Sequence, residues 1–117
     1  MEKFTTLSQR AISEALAVAT SMQHSELSPL HLLASLLADE SGTANMLISR
    51  SRGDARRVNE LTTAQLNRLP TVTGTQPKTS SQTVQVLTSA IAAAESMSDS
   101  HATVEHLLLA LSDVKSD

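Results

Sequence analysis

The chain has 117 residues, of which 40% are hydrophobic and 18% are charged, and its formal net charge is −3. It contains one aromatic residue, Phe4, and no cysteine, which excludes disulfide scaffolds, thiolate metal sites, cysteine nucleophiles and an aromatic platform for stacked nucleic-acid bases. No apolar run approaches the roughly 20 residues that span a bilayer, and the first residues lack the layout of a signal peptide. These features predict one soluble, intracellular domain.

The first half of the chain predicts helices, because apolar residues recur at three- and four-residue steps and glycine and proline are scarce. The first predicted helix has one apolar stripe, made of Leu7, Ala11, Ile12, Ala15, Leu16, Ala19 and Met22. Ser28 followed by Pro29 is typical of an N-cap and first turn, and it predicts the start of a second helix. That helix is expected to bury its leucines at positions 30, 33, 36 and 37.

A third and a fourth helix follow. Gly42 interrupts the pattern before a short third helix, whose apolar residues are Met46, Leu47 and Ile48. Gly53 is expected to close this helix in a left-handed conformation. Asp54 predicts the N-cap of the fourth helix. The predicted buried face of the fourth helix consists of Val58 and Leu61, with Ala64 and Leu69 as further candidates.

The second half begins with a polar stretch. Pro70 ends the helical pattern, and residues 71–81, which contain Gly74 and Pro77, predict a linker. A fifth helix is expected to place its apolar residues on one side, namely Val84, Leu87, Ala90, Ile91, Ala94 and Met97. Thr103 predicts the N-cap of a sixth helix with buried leucines at positions 107, 108 and 111. No segment shows the alternation of a strand, so the predicted class is all-α.

An internal repeat is the most informative feature. Residues 7–36 align with residues 82–111 after a shift of 75 positions and without a gap, so that His31 matches His106. One duplication accounts for this offset, and it predicts a pseudo-twofold double repeat of a helical bundle unit. We expect one domain over residues 1–117, with repeat one at about 4–69, a linker at about 70–81 and repeat two at about 82–117. The second repeat is expected to be incomplete, because it ends where the first has only reached Gly42.

The polar clusters each have a structural interpretation. His31 and His106 occupy matched first-turn positions, and no histidine–carboxylate spacing suits a metal ion, so both are interpreted as buried structural histidines. Residues 74–79 lack the glycine that precedes the lysine of a phosphate-binding loop. The arginines at positions 50, 52, 56 and 57 are interpreted as helix-dipole and solvated-face residues rather than a nucleic-acid surface. Met22 and Met97 are interpreted as core residues.

At this point the motifs resemble a known family. Phe4 and Thr5, residues 29–37 (PLHLLASLL), and residues 104–111 (VEHLLLAL) are similar to the two hallmarks of the Clp N-terminal repeat domain. Residues 66–70 (LNRLP), which lead into residues 72–74 (VTG), resemble the inter-repeat segment of the ClpB-type AAA+ protein disaggregases in particular. The resemblance covers essentially the whole chain in the expected order.

The resemblance implies a helical domain that is joined to AAA+ ATPase modules outside this chain. Those modules would hold ATP and magnesium, whereas this chain would hold no metal or cofactor and no catalytic residue. The domain would engage polypeptide on a partly apolar surface near the junction of the repeats. The site residues that the resemblance implies are Thr5, Thr6, Leu87, Asp99 and Glu105. Glu105, taken alone, is also explained by the helix dipole. Leu30 stands where many relatives have glutamate, so a second, symmetric carboxylate site is not expected.

We therefore expect a non-catalytic domain of a ClpB-like disaggregase that binds unfolded or aggregated protein substrates, or adaptor proteins, and neither nucleic acid nor membranes. The parent protein is expected to be hexameric and the isolated domain monomeric. The expected location is the cytoplasm, with an organellar copy left open. The main alternative is an adaptor-docking regulatory domain of a protease-linked Clp ATPase. A stand-alone enzyme is the least favoured alternative, because these residues suggest no nucleophile–base pair.

Overall fold

Helices dominate the described part of the chain, which in this computed structural model comprises residues 3–38, 42–50, 53–74 and 76–113. The elements in chain order are α1 (Thr6–Ser21), β1 (Glu26–Leu27), α2 (Pro29–Leu37), α3 (Thr43–Arg50), α4 (Ala55–Arg68), β2 (Lys78–Thr79), α5 (Ser81–Ser96) and α6 (Val104–Ser112). The predicted all-α class is confirmed. The two short strands were not predicted, and β2 lies inside the segment that was interpreted as a linker.

The helix bounds follow the sequence repeat residue by residue. α1 and α5 begin and end at positions 75 apart, and so do α2 and α6. The N-caps match as well, because Thr5 accepts a hydrogen bond from the Ser8 N–H and Ser80 accepts one from the Thr83 N–H. α1 packs mainly on α2, and α5 packs mainly on α6. The duplicated sequence thus forms two helix pairs with the same local hydrogen bonding.

The two helix pairs are joined by reciprocal backbone contacts. Phe4 pairs with Ala102, and at the positions 75 residues away Leu27 pairs with Thr79, in both cases in parallel. The Thr5 N–H donates to the Ala102 carbonyl at 3.0 Å, and the Ser80 N–H donates to the Leu27 carbonyl at 3.1 Å. Such exchange of equivalent contacts is what a twofold relation between similar units produces.

The helix faces that meet in the core are made of small side chains. The buried residues of the two long helices are Ser8, Ala11, Ala15, Ala19, Thr83, Val86, Ala90 and Ala94. The predicted stripes were therefore wrong at Leu7, Leu16, Val84 and Met97, which are exposed. Buried hydroxyls take the place of predicted apolar residues, because Ser8 donates to the Ala102 carbonyl and Thr83 donates to the Leu27 carbonyl. A buried polar group that is hydrogen-bonded avoids the cost of desolvation.

Two predictions about the fourth helix and its entry need correction. Leu61 is 51% exposed, and the buried residues of α4 are Thr62 and Leu66. Gly53 does not adopt the left-handed conformation, which among the described glycines occurs at Gly74. The close approach of Gly53 to α3 explains the glycine instead, since a Cβ atom there would lie 2.9 Å from Cγ2 of Ile48.

The predicted N-cap residues of the later helices are confirmed. The Asp54 carboxylate accepts a hydrogen bond from the Arg57 N–H at 3.2 Å and so caps α4. Thr103 caps α6 in the same way, through the His106 N–H. Within the described ranges, none of the helices combines the length and the apolar composition needed to cross a membrane.

Candidate functional site

A surface pocket of about 570 Å³ lies where the N-terminal ends of α1, α3 and α6 meet. We call it the junction pocket. It is lined by Thr5, Leu7, Thr43, Met97, Asp99, Ser100, His101, Thr103, Val104, Glu105 and His106. These residues come from both repeats, so the pocket exists only when the two helix pairs are assembled.

Thr5 supplies a hydroxyl group whose proton is already committed. As the N-cap of α1, its Oγ1 accepts a hydrogen bond from the Ser8 N–H at 3.2 Å. The same oxygen donates its proton to Ser8 Oγ at 3.0 Å, and Ser8 in turn donates to the Ala102 carbonyl at 3.0 Å. Toward the pocket, the Thr5 oxygen can therefore accept one more hydrogen bond but cannot donate one.

A tight turn after α5 places Asp99 over the start of α6. Ser98 has a φ of 61°, in the left-handed region, while its N–H donates to the Glu95 carbonyl and the Asp99 N–H donates to the Ala94 carbonyl. This pattern is a Schellman motif, which ends a helix by reversing the chain. As a result, Oδ2 of Asp99 lies 3.3 Å from Nε2 of His106, and about half of the Asp99 side chain remains exposed.

The backbone determines which nitrogen of His106 carries a proton. Nδ1 accepts the Thr103 N–H at 2.9 Å, so the hydrogen of the neutral ring lies on Nε2, the nitrogen that faces Asp99. Glu105 precedes His106 in the first turn of α6 and is exposed. The positive end of the helix dipole favours a carboxylate at that position. The rim of the pocket thus carries two carboxylates, one of them held by a buried histidine.

Exposed apolar side chains form the other part of the junction pocket. Leu7 is 62% exposed and Met97 is 55% exposed, so the core interpretation was wrong for both residues. The sequence held a signal for Leu7, because the matching position of repeat two is Gln82. A position that is apolar in one repeat and polar in the other does not belong to the core packing that the two repeats have in common.

The structure separates the five predicted site residues into two groups. Thr5, Asp99 and Glu105 line the junction pocket together. Thr6 is the exposed first residue of α1. Leu87 is half-buried against the core. Neither residue is among the described residues that line the pocket. A binding role for any of the five remains a prediction.

The position of repeat one that corresponds to Asp99 is buried. His24 takes the place of Asp99, and its Nδ1 lies 2.7 Å from Nε2 of His31. The backbone after α4 covers this position, because Thr71 pairs with His24 and the Val72 N–H donates to the Gln23 carbonyl at 2.7 Å. The inter-repeat segment therefore buries a histidine pair where repeat two exposes a carboxylate.

His31 is held in the neutral form. Burial, together with the adjacent His24, lowers the pKa of His31 to about 4. Nδ1 of His31 accepts the Ser28 N–H at 2.9 Å, so its Nε2 hydrogen is the one donated to His24. The predicted structural role of His31 and His106 agrees with these contacts. Among the described residues, no three histidine or carboxylate side chains lie close enough together to hold a metal ion.

Comparison with known proteins identifies the family of this chain. The family described as the Clp repeat (R) N-terminal domain matches residues 3–117. This chain belongs to that family. The chain is 38% identical to the chaperone protein ClpB from Rhodopseudomonas palustris over 115 residues, which cover 96% of this chain and 13% of that protein. The resemblance to ClpB-type domains that the motifs indicated is confirmed.

Solved structures of other Clp N-terminal domains share the fold. The Hsp104 N-terminal domain from Candida albicans has a TM-score of 0.87 and 28% identity, over 96% of this chain and 75% of that chain. A ClpV N-domain in complex with a VipB peptide has a TM-score of 0.81 and 20% identity, over 92% of this chain and 66% of that chain. The chain spans 13% of the length of ClpB proteins such as that of Rhodopirellula baltica, which is 32% identical over 112 residues.

Proposed function

We propose that this Clp N-terminal domain binds unfolded or aggregated polypeptide in the junction pocket and delivers it to ATPase modules of a ClpB-like disaggregase. The observation that supports this most directly is the combination of exposed Leu7 and Met97 with the carboxylates of Asp99 and Glu105 in one open pocket. A polypeptide that has lost its fold presents apolar side chains and unpaired backbone N–H groups together, and this pocket offers a partner for each.

The polar groups of the pocket suit a backbone with unpaired donors. The two carboxylates and the Thr5 oxygen all accept hydrogen bonds, and bonds to charged acceptors are the stronger kind. The methionine side chain adapts to differently shaped apolar partners. We expect weak individual binding, because association costs several kcal/mol of lost freedom before any contact contributes. Several copies in a hexameric parent would raise the effective concentration of sites.

We also propose that the pocket is not a hydrolase site, although it contains a hydroxyl, a histidine and a carboxylate in a row. Thr103 Oγ1 lies 3.0 Å from Nδ1 of His106, and Asp99 faces the other ring nitrogen. A general base needs a lone pair that can take the proton of the nucleophile. The Nδ1 lone pair already accepts the Thr103 N–H at 2.9 Å, which accounts for the arrangement as a helix cap.

The proposal is tested by binding to a permanently unfolded protein, such as reduced and iodoacetamide-treated lactalbumin, measured by fluorescence anisotropy against the native protein. Leu7→Gln introduces the residue of the matching position in repeat two and is expected to weaken binding by about threefold to tenfold, in proportion to the apolar area lost. Glu105→Gln is expected to weaken it as well. Leu16→Gln is the matched control, because Leu16 is an exposed leucine of α1 outside the pocket.

Equal binding of the native and unfolded proteins would refute the proposal. Circular dichroism checks that each variant keeps the helical content of the original chain. Binding of one folded protein at a fixed stoichiometry, without preference for unfolded chains, would favour the adaptor-docking alternative. The solved complex of a ClpV N-domain with a peptide shows that this fold accommodates a peptide in that protein. The cytoplasmic location, the monomeric state of the isolated domain and the use of ATP and magnesium by the parent modules are parts of the same proposal.

A further inference from the structure

A second pocket, of about 580 Å³, lies between the end of α3 and the start of α4. We call it the arginine pocket. The described residues that line it are Leu37, Asn45, Met46, Ser49, Arg50, Ala55, Arg56 and Asn59. It shares none of these residues with the junction pocket. The two pockets lie toward opposite ends of α3, whose eight residues span about 12 Å.

The arginine pocket is locally positive in an acidic protein. Residues 37–59, which include all of the described lining, contain four arginines against three carboxylates, whereas the whole chain has a net charge of −3. Arg50 and Arg56 are exposed, and within the described ranges neither guanidinium forms an ion pair with a carboxylate. The nearest acidic residue along the chain, Asp54, uses its carboxylate to cap α4 and is not among the described lining residues.

An apolar surface adjoins the two guanidinium groups. Leu37 is buried at the end of α2, and Met46 presents an exposed thioether side chain. Asn45 donates its side-chain N–H to the Leu37 carbonyl at 3.1 Å, which fixes the start of α3 against α2. The pocket therefore places two exposed guanidinium groups beside the exposed Met46 side chain.

We propose that the arginine pocket binds an acidic segment of a polypeptide. Carboxylate side chains of the segment pair with Arg50 and Arg56, and an apolar side chain beside them packs on Met46. Guanidinium groups match carboxylates in geometry as well as in charge. A polypeptide fits better than a nucleic acid, because nucleic-acid binding requires an extended positive surface and, for single strands, aromatic side chains for stacking.

This site is independent of the junction pocket and has the opposite charge. A segment that is rich in glutamate would be repelled by Asp99 and Glu105 and attracted by Arg50 and Arg56. The charge of a peptide thus distinguishes the two sites in one binding experiment.

The test uses the 117-residue chain and a short fluorescent peptide in which glutamate and leucine are interspersed, together with the same peptide carrying glutamine in place of glutamate. We expect the acidic peptide to bind about tenfold more tightly at low salt, since each exposed ion pair contributes up to about fivefold. The double variant Arg50→Gln and Arg56→Gln is expected to remove that advantage. Arg57→Gln is the matched control: it makes the same change of charge at an adjacent exposed position of α4 outside the pocket, and it is expected to change binding by less than about twofold.

Two further measurements complete the test. Glu105→Gln lies in the junction pocket. It is expected to change the affinity of the arginine pocket for the acidic peptide by less than about twofold, since separated exposed charges are screened by salt. Equal affinity for the glutamate and glutamine peptides would overturn the proposal, and so would an unchanged affinity of the double variant. Tighter binding of a single-stranded RNA homopolymer than of the acidic peptide would also overturn it, in favour of a nucleic-acid surface.

Discussion

Acidification should destabilise this domain through His31, and the structure allows the size of the effect to be calculated. The His31 side chain is fully buried, and both of its ring nitrogens are engaged: Nδ1 accepts the Ser28 N–H and Nε2 donates to His24. A second proton on the ring would have to be placed on Nδ1, which lies 2.9 Å from the Ser28 nitrogen and 2.8 Å from the Ser28 hydroxyl oxygen. The charged form is therefore opposed by burial and by the adjacent His24.

The sign follows from the two pKa values. The pKa of His31 is about 4 in the folded chain, against 6.5 for an ordinary histidine. Between these values the unfolded chain binds the proton and the folded chain does not, so the stabilisation is fully present above pH 6.5 and is lost as the pH falls toward 4. At about 1.4 kcal/mol per pKa unit, this difference amounts to about 3 kcal/mol at most.

Urea unfolding, followed by circular dichroism from neutral pH down to about pH 4, measures this loss. His31→Asn retains an acceptor near the Nδ1 position and removes the titration. We expect the variant to be less stable than the original chain at neutral pH but to lose less stability on acidification. His101→Asn is the control, because His101 is exposed. If the original chain and His31→Asn lose the same free energy of unfolding between pH 6.5 and pH 4, the reasoning is refuted.

Three further predictions concern the helix ends and the core. Ser98→Gly should raise the free energy of unfolding by about 1 kcal/mol, because glycine adopts the positive φ of 61° without strain; an unchanged urea midpoint would contradict this. Thr5→Ala should destabilise the chain by about 1 kcal/mol through loss of the α1 cap, whereas Thr5→Ser should not; equal stability of Thr5→Ala and the original chain would show that this cap contributes nothing. Ala90→Leu should lower the thermal midpoint, with a cost of about 1–3 kcal/mol, because Ala90 is fully buried in the core between the helices; a variant as stable as the original would show a looser core.

The two repeats differ in the partner of their matched histidines. His31 and His106 make the same helix cap, through the backbone N–H groups of Ser28 and Thr103. Their second ring nitrogens face His24 in one repeat and Asp99 in the other. Because the inter-repeat segment covers His24, a duplicated architecture presents one open pocket in which a carboxylate is held by histidine.

Local sequence signals predicted the helices and their caps well. Ser28, Asp54 and Thr103 begin their helices as expected, because a cap depends on side chains and backbone groups only a few residues apart. The same holds for the class of the fold, since helical periodicity is present in each segment. Predictions that depended on which helix face meets a neighbour were less accurate: Leu61 and Val84 are exposed, whereas Thr62 and Thr83 are buried.

The candidate site shows the same division between local and long-range information. The resemblance to Clp domains named Thr5, Asp99 and Glu105, and the structure brings all three to one pocket. Periodicity assigned Leu7 and Met97 to the core, because a stripe of apolar residues does not reveal which of its members the partner helix covers. The arginines were interpreted as residues of a solvated face, since the sequence does not show that Arg50 and Arg56 line one pocket between α3 and α4.

By itself, the sequence determined the helical class, the shift of 75 positions between the repeats, the capping residues and the family, because each of these depends on neighbouring residues or on similarity along the chain. Only the tertiary structure decided that Asp99 is open while its counterpart His24 is covered, and that Arg50 and Arg56 share a concave surface. These properties arise from contacts between distant segments, and the packing of small side chains such as Ala15 and Ala90 determines how closely those segments approach.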